Sequence, residues 1–246
     1  MSDNYNTFAE KYDELFDQTL YKQWADYVSQ NTQIGSTLDL GGGSGRLAIE
    51  LAKLGYKMDV LDLSPEMLML AQKNSAQANQ SIQLLQADMR EWSDWKTQYE
   101  LIISSVDALN YLPTQDDMVK TLQQVFEHLV VGGTFMFDVI TPYQVNVLYD
   151  NYFYNNDDDP ENIFMWTSYP GEIANSVDHD LKFFVYNEKI DGFKLLREVH
   201  HEQTYELDTY MQLLTTVGFK DIEVTSAFGQ HPIDLETDRW FFKMKK

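Results

Sequence analysis

Apolar residues along this chain recur at two spacings, and the switches between them divide it into parts. From Tyr5 to Val28 the residues Tyr5, Phe8, Tyr12, Leu15, Phe16, Leu20, Trp24, Tyr27 and Val28 fall at helical intervals, which predicts one or two amphipathic helices. Short apolar runs then alternate with helical stretches. Strands are predicted over residues 37–40, 57–61, 82–86, 100–104 and 134–140, too short for helices and bounded by polar positions. Between them, a helix over 46–54 stops at Gly55, another starts at Ser64-Pro65 and runs through Met67, Leu68 and Leu70, and a third spans 116–129 ahead of Gly132-Gly133. Ser64 can cap free amides, while Pro65 fills the first helical position, where its missing N–H costs nothing.

After residue 140 strand follows strand: 163–168, 181–187 and 193–204, with Lys189-Ile190-Asp191-Gly192 as a hairpin turn and 155–160 as a polar loop. A helix over 207–216 ending at Gly218, then strands over 221–225 and 239–244, resume the first pattern. The expected organisation is an N-terminal helical cap (1–33), an α/β core (34–140 and 205–246) with a parallel sheet wound by crossovers, and an antiparallel β insert (141–204) over the active site.

Composition narrows what such a fold can do. The 246 residues are 43% hydrophobic, enough for one sizeable core. Cys is absent, which excludes disulfides, thiolate metal sites and a cysteine nucleophile. A formal charge of −21 without a basic patch disfavours nucleic acid and points to a small-molecule partner. With neither a secretory signal pattern nor a membrane-length apolar run, a cytoplasmic location is expected. Three Asp at 157–159 lack further spaced ligands, so a solvated loop is expected and no metal.

The chemistry concentrates in Leu38-Asp39-Leu40-Gly41-Gly42-Gly43-Ser44-Gly45, a strand entering a glycine-rich turn and a helix. Glycines at 41, 43 and 45 permit positive φ and close approach of backbone to a ligand. Gly43-x-Gly45-x-x-Ala48 fits a dinucleotide fingerprint, and Asp39-x-Gly41-x-Gly43-x-Gly45 fits an adenosylmethionine turn. The acidic residue discriminates: a pyrophosphate would face Asp39's charge, whereas an ammonium and sulfonium would welcome it. Asp62, ending the second strand, can accept ribose hydroxyls in either case. At the end of the third strand Asp88 could accept from an adenine amino group while Met89 packs on the ring.

With these motifs in this order, the sequence resembles the class I S-adenosylmethionine-dependent methyltransferases, particularly their bacterial small-molecule branch. The resemblance implies a Rossmann-like seven-stranded sheet. It also implies that Asp39, Gly41 and Gly43 line the methionine part of the cofactor, Asp62 and Leu63 the ribose, Asp88 and Met89 the adenine, and Ser104 and Ser105 the floor by the sulfonium, with Met67 also among the cofactor-binding residues. Tyr12 and Trp24 correspond more loosely to cap aromatics of sugar and glycine N-methyltransferases. The chain departs from the Asn/Asp-Pro-Pro-Tyr of nucleobase and glutamine methyltransferases, reading Ser104-Ser105-Val106-Asp107-Ala108-Leu109-Asn110-Tyr111, which points to N- or O-methylation of a small molecule. Asp107, Asn110 and Tyr111 are candidates for the acceptor pocket or for helix-start capping.

No catalytic base is assigned from sequence. His128 reads as a surface residue. His200 and His201 point to opposite faces of one strand, so one could look into a cavity. An NAD-dependent oxidoreductase and a non-catalytic adenosylmethionine-binding protein stand as alternatives.

Overall fold

The computed structural model describes Lys11 and residues 18–246. Tyr12 and most of the first predicted helix lie outside the described residues. What remains of the cap is α1 (Gln18–Asn31), whose Trp24, Ala25, Tyr27 and Val28 are buried.

The core strands are β1 (Ser36–Leu40), β2 (Lys57–Asp62), β3 (Gln83–Gln86), β4 (Tyr99–Ser104), β5 (Leu129–Ile140), β10 (Lys220–Thr225) and β11 (Arg239–Lys245). They form one seven-stranded sheet in the order β10-β11-β5-β4-β1-β2-β3. All neighbours pair in parallel except β11, which runs antiparallel to both β5 and β10. The central strands are continuous apolar runs because helices cover both faces. On one side α4 (Gln115–His128) and α5 (Leu207–Val217) bring Met118, Leu122, Val125, Tyr210 and Leu214 against Phe135, Phe137 and Phe242. On the other, α1 and α2 (Arg46–Lys53) pack Trp24, Val28, Leu47 and Leu51 on Leu101, Ile103 and Phe241, with Leu68 of α3 (Pro65–Gln77) alongside. Winding reverses between β1 and β4, so a crevice opens beyond the carboxyl ends of these strands, where open α/β sheets bind ligands.

Between β5 and α5 the chain builds a second sheet, in the order β6-β7-β8-β9, from β6 (Phe153–Asn156), β7 (Asn162–Pro170), β8 (Ser176–Asn187) and β9 (Gly192–Gln203). All its pairs are antiparallel, and Asn187 pairs with Gly192 across the expected hairpin. Two expectations need correction. Gly132-Gly133 does not stop the helix: α4 ends at His128, Leu129 is already extended, and both glycines lie within β5. The polar loop is also shorter than expected, because Asn155 and Asn156 continue β6 by pairing with Met165 and Phe164. An edge strand with one solvated face accommodates Asn, which an apolar-periodicity reading passes over.

Candidate active site

The glycine turn is held from below by β2. Gly41 and Gly42 donate their amides to the Leu61 carbonyl at 2.8 and 3.2 Å. Gly43 donates to Asp62 Oδ2 at 2.8 Å, and Ser64 donates to Asp62 Oδ1 at the same distance. One carboxylate thus fixes both the turn and the start of α3, where Ser64 Oγ accepts from the Met67 amide at 3.1 Å and caps the helix as expected. Gly41 and Gly43 have φ of 72° and 53°. A Cβ on Gly41 would lie 2.9 Å from the Ala108 side chain, whereas Gly43 has open space around it.

Above the turn lies a cavity of about 690 Å³. Gly41, Gly43, Asp62, Leu63, Met67, Asp88, Met89 and Ser105 of the sequence-predicted set line it. Asp39 lies beneath the turn, 1% exposed, and Gly42 has no Cβ because one would stand 2.7 Å from Asp39 Cγ. Ser104 is also beneath, fully buried, its Oγ donating to the Leu40 carbonyl at 2.8 Å. Trp24 does not reach the cavity. It packs against Tyr27, Phe228 and Phe241, and the α1 aromatic that reaches the wall is Tyr21, one turn earlier.

Charge in this cavity is unevenly compensated. Neither Asp39 oxygen has a hydrogen-bond partner. Burial, with the neighbouring Asp62 charge adding, raises its pKa to about 7, and the facing Ala48 amide opposes this only in part. Burial also pushes Asp62 up, against the amides of Ser64 and Gly43. Asp88 differs: Arg90 folds back to donate Nη2 to Oδ2 at 2.6 Å and Nε to Oδ1 at 2.9 Å, which holds the carboxyl below its ordinary range. Arg90, which the sequence reading passed over, thus shares the carboxylate expected to face adenine.

A second cavity, of about 290 Å³, lies between the core and the inner face of the second sheet. Tyr111 and His200 line both cavities, and Tyr149, Tyr152, Tyr154, Phe164 and Trp166 wall the second. Asp107, Asn156, His179, His200 and Glu202 add polar side chains to its lining. At the junction Tyr111 Oη lies 2.9 Å from His200 Nδ1, and His200 Nε2 lies 3.1 Å from Glu198 Oε2. His201 turns outward to Asp178, as strand alternation requires. His128 is not a surface residue: it is buried, stacked on Trp92, with Nδ1 and Nε2 each 2.7 Å from a carbonyl, of Gln124 and Trp95.

Asn110 makes the joint between the sheets: Nδ2 donates to the Gln203 carbonyl at 2.9 Å and Oδ1 accepts from the Ile140 amide at 3.0 Å. Beside it Asp107 pairs with Arg239, which also reaches the buried Asp138. Asp138 Oδ1 accepts from the Val106 amide at 2.7 Å, holding a β-branched residue at φ 55° on the cavity rim.

A family profile described as a methyltransferase domain matches residues 37–133. Two relatives carry names that provisionally describe methyltransferases. YqeM of Bacillus subtilis (strain 168) is 35% identical over 245 residues, covering 98% of this chain and 97% of its own. A Geobacillus sp. (strain WCH70) relative is 32% identical over 249 residues, with coverage of 98% and 99%. The crystal structure of an S-adenosylmethionine-dependent methyltransferase from Clostridium acetobutylicum ATCC 824 superimposes with a TM-score of 0.85 at 26% identity, covering 98% of each chain. The chain belongs to the class I S-adenosylmethionine-dependent methyltransferases. For this methyltransferase the dinucleotide reading of Gly43, Gly45 and Ala48 falls away. The residues present suit adenosylmethionine on structural grounds too: a buried carboxylate without partners under a glycine cradle is what a cationic ligand compensates. No described helix is long and apolar enough to cross a membrane, and no metal-ligating cluster occurs among the described residues.

Proposed function

We propose that this methyltransferase moves the methyl group of S-adenosylmethionine to a nitrogen or oxygen of a small molecule held in the second cavity. The observation that carries this reading is the shared wall: Tyr111 and His200 border both cavities, so an acceptor in the smaller one can meet a donor in the larger. The cofactor supplies a methyl carbon activated by an adjoining sulfonium.

The chain's own residues bind and orient. Gly41 and Gly43 give backbone access to the methionine part, while Asp39 sets a negative charge beneath it. Asp62 has lone pairs left for ribose hydroxyls after binding two amides. Leu63, Met67 and Met89 offer apolar contact, and Asp88, ionised by Arg90, offers an acceptor at the adenine end. Ser105 and Val106 form the rim toward the acceptor. In-line displacement needs chiefly that both reactants be held in line and dry, and the second sheet's aromatic wall suits that role.

Calorimetric titration with S-adenosylhomocysteine and, separately, NAD tests the cofactor half. Micromolar binding of the first alone is expected. Asp62→Ala should weaken it more than about tenfold, because a carboxylate lost from a largely buried site removes acceptors for both the turn and the ligand. Unchanged affinity would overturn the assignment of Asp62 to the ribose. Methyl transfer to a small-molecule panel tests the other half.

A further inference from the structure

The smaller cavity carries more information than its volume, and the reasoning about it rests on the acceptor site proposed above. Glu202 and His179 stand on adjacent strands of its wall, 6% and 3% exposed. Trp166 Nε1 lies 3.1 Å from His179 Nδ1 and Ser168 Oγ lies 2.8 Å from it. An indole N–H can only donate, so Nδ1 must be an acceptor and the ring proton sits on Nε2. That Nε2 has no hydrogen-bond partner, and it faces Glu202 Oε2 across 3.8 Å, too far for a hydrogen bond. The contact between His179 and Glu202 is therefore a long one from a ring N–H, not a close hydrogen-bonded ion pair.

No other described residue is close-paired with Glu202, and the more distant Arg239 charge offsets it only in part. Asp107 faces Glu202 from the turn after β4 and adds negative charge. Arg239 approaches from β11 but is committed to Asp107 and Asp138, and Tyr149 on the remaining side is neutral, its hydroxyl pushed up by burial. Among the described residues that line this cavity there is no Lys or Arg. A buried carboxylate left in this state is relieved either by taking a proton or by a cation from outside, and the cavity beside it has room for the second. Five aromatic rings, of Tyr149, Tyr152, Tyr154, Phe164 and Trp166, supply the faces that favour an organic cation over a hydrated metal.

We propose that the acceptor is a small amine, bound as its ammonium between Glu202 and these rings, and that Glu202 takes the proton that frees the nitrogen for methylation. The ammonium R–NH3+ gives one proton to the Glu202 carboxylate, leaving R–NH2 and a neutral carboxylic acid. The freed lone pair forms the N–C bond as the C–S bond breaks, and that bonding pair stays on sulfur. The positive charge passes from sulfur to the methylated nitrogen, which then faces a carboxyl group able to take its charge partner's role again once the proton leaves to solvent. Burial holds the Glu202 carboxyl above the ordinary carboxylate range, opposed by the nearby His179 ring and reinforced by Asp107, which makes it a better proton acceptor than a solvated glutamate.

The test is binding to the protein saturated with S-adenosylhomocysteine, measured by calorimetry with matched probes: 2-phenylethylamine, 2-phenylethanol and 3-phenylpropionate, and the cyclohexyl counterparts of each. The amine of each set should bind at least about tenfold tighter than the alcohol, with the carboxylate weakest. Glu202→Gln should abolish that ranking while leaving S-adenosylhomocysteine affinity unchanged. An alcohol or carboxylate that binds as well as its amine overturns the proposal, as does an intact amine preference in Glu202→Gln or the absence of amine binding in both sets. The ranking in the unmodified protein stands even if the variant does not fold. Failure of S-adenosylhomocysteine itself to bind would instead strike the cofactor reading, so the two failures are separable.

Discussion

Asp39 combines complete burial with two oxygens that have no hydrogen-bond partner, and its pKa of about 7 stands well above the ordinary carboxyl value of 3.8. Between those two pH values the folded chain keeps a proton that the unfolded chain has released. Stability from this group is therefore present at low pH and is lost as pH rises toward 7. Asp39→Asn removes the titration, so the cofactor-free variant should melt higher than the parent, by more at pH 8 than at pH 5, while binding S-adenosylhomocysteine more weakly. Scanning calorimetry at the two pH values checks this, and a gain that is no larger at pH 8 would contradict it. The position of Asp39 was legible from Asp39-x-Gly41-x-Gly43, because only a strand entering a glycine turn puts a carboxylate there. The partners of Asp88 and His128 were not. Arg90 reaches Asp88 through a two-residue fold-back, and His128 is buried by Trp92, neither of which leaves a periodic trace. That Tyr21 rather than Trp24 reaches the cavity was not legible either, because helical spacing shows which residues share a face but not which end of that face meets the cavity.

At the scale of elements, Asn110 is the joint on which both cavities depend. It is fully buried in the short turn Ala108–Tyr111 and satisfies one backbone group from β5 and another from β9. Asn110→Ala would strand a buried amide and a buried carbonyl, and a loss of roughly 2–4 kcal/mol is expected from two such groups. Urea denaturation measures it, and a change below about 0.5 kcal/mol would show that the joint holds without this side chain. Core strands were readable since parallel strands covered on both faces are continuous apolar runs, and the second sheet was readable from its run of strands and its hairpin turn. Its edge strand β6 was not, because Asn155 and Asn156 carry loop chemistry into a ladder. The joint itself was invisible in sequence, since its partners lie 30 and 93 positions from Asn110.

For the molecule as a whole, 39 acidic against 18 basic side chains give a chain that repels itself. Screening should therefore stabilise it. The melting temperature is expected to rise by a few degrees between about 10 and about 150 mM NaCl, over which the screening length falls from roughly 30 to roughly 8 Å. A flat or falling profile would mean that local pairs such as Arg239 with Asp107 and Asp138 outweigh the global field. The same field makes anionic acceptors poor visitors and cationic ones welcome.

The second sheet leaves the core after Ile140 and returns at Thr204, and these two residues touch: Thr204 Oγ1 donates to the Ile140 carbonyl at 2.6 Å. The chain between them leaves and rejoins the core at one neck, with Asn110 and Tyr111 of the core bracing β9 beside it. In evolutionary terms that makes the roof cheap to rewrite, since strands there can lengthen, shorten or change their inward side chains without moving either end. The glycine turn and Asp62 stand outside the neck, so a lineage can try new acceptors while its grip on the methyl donor is inherited unchanged.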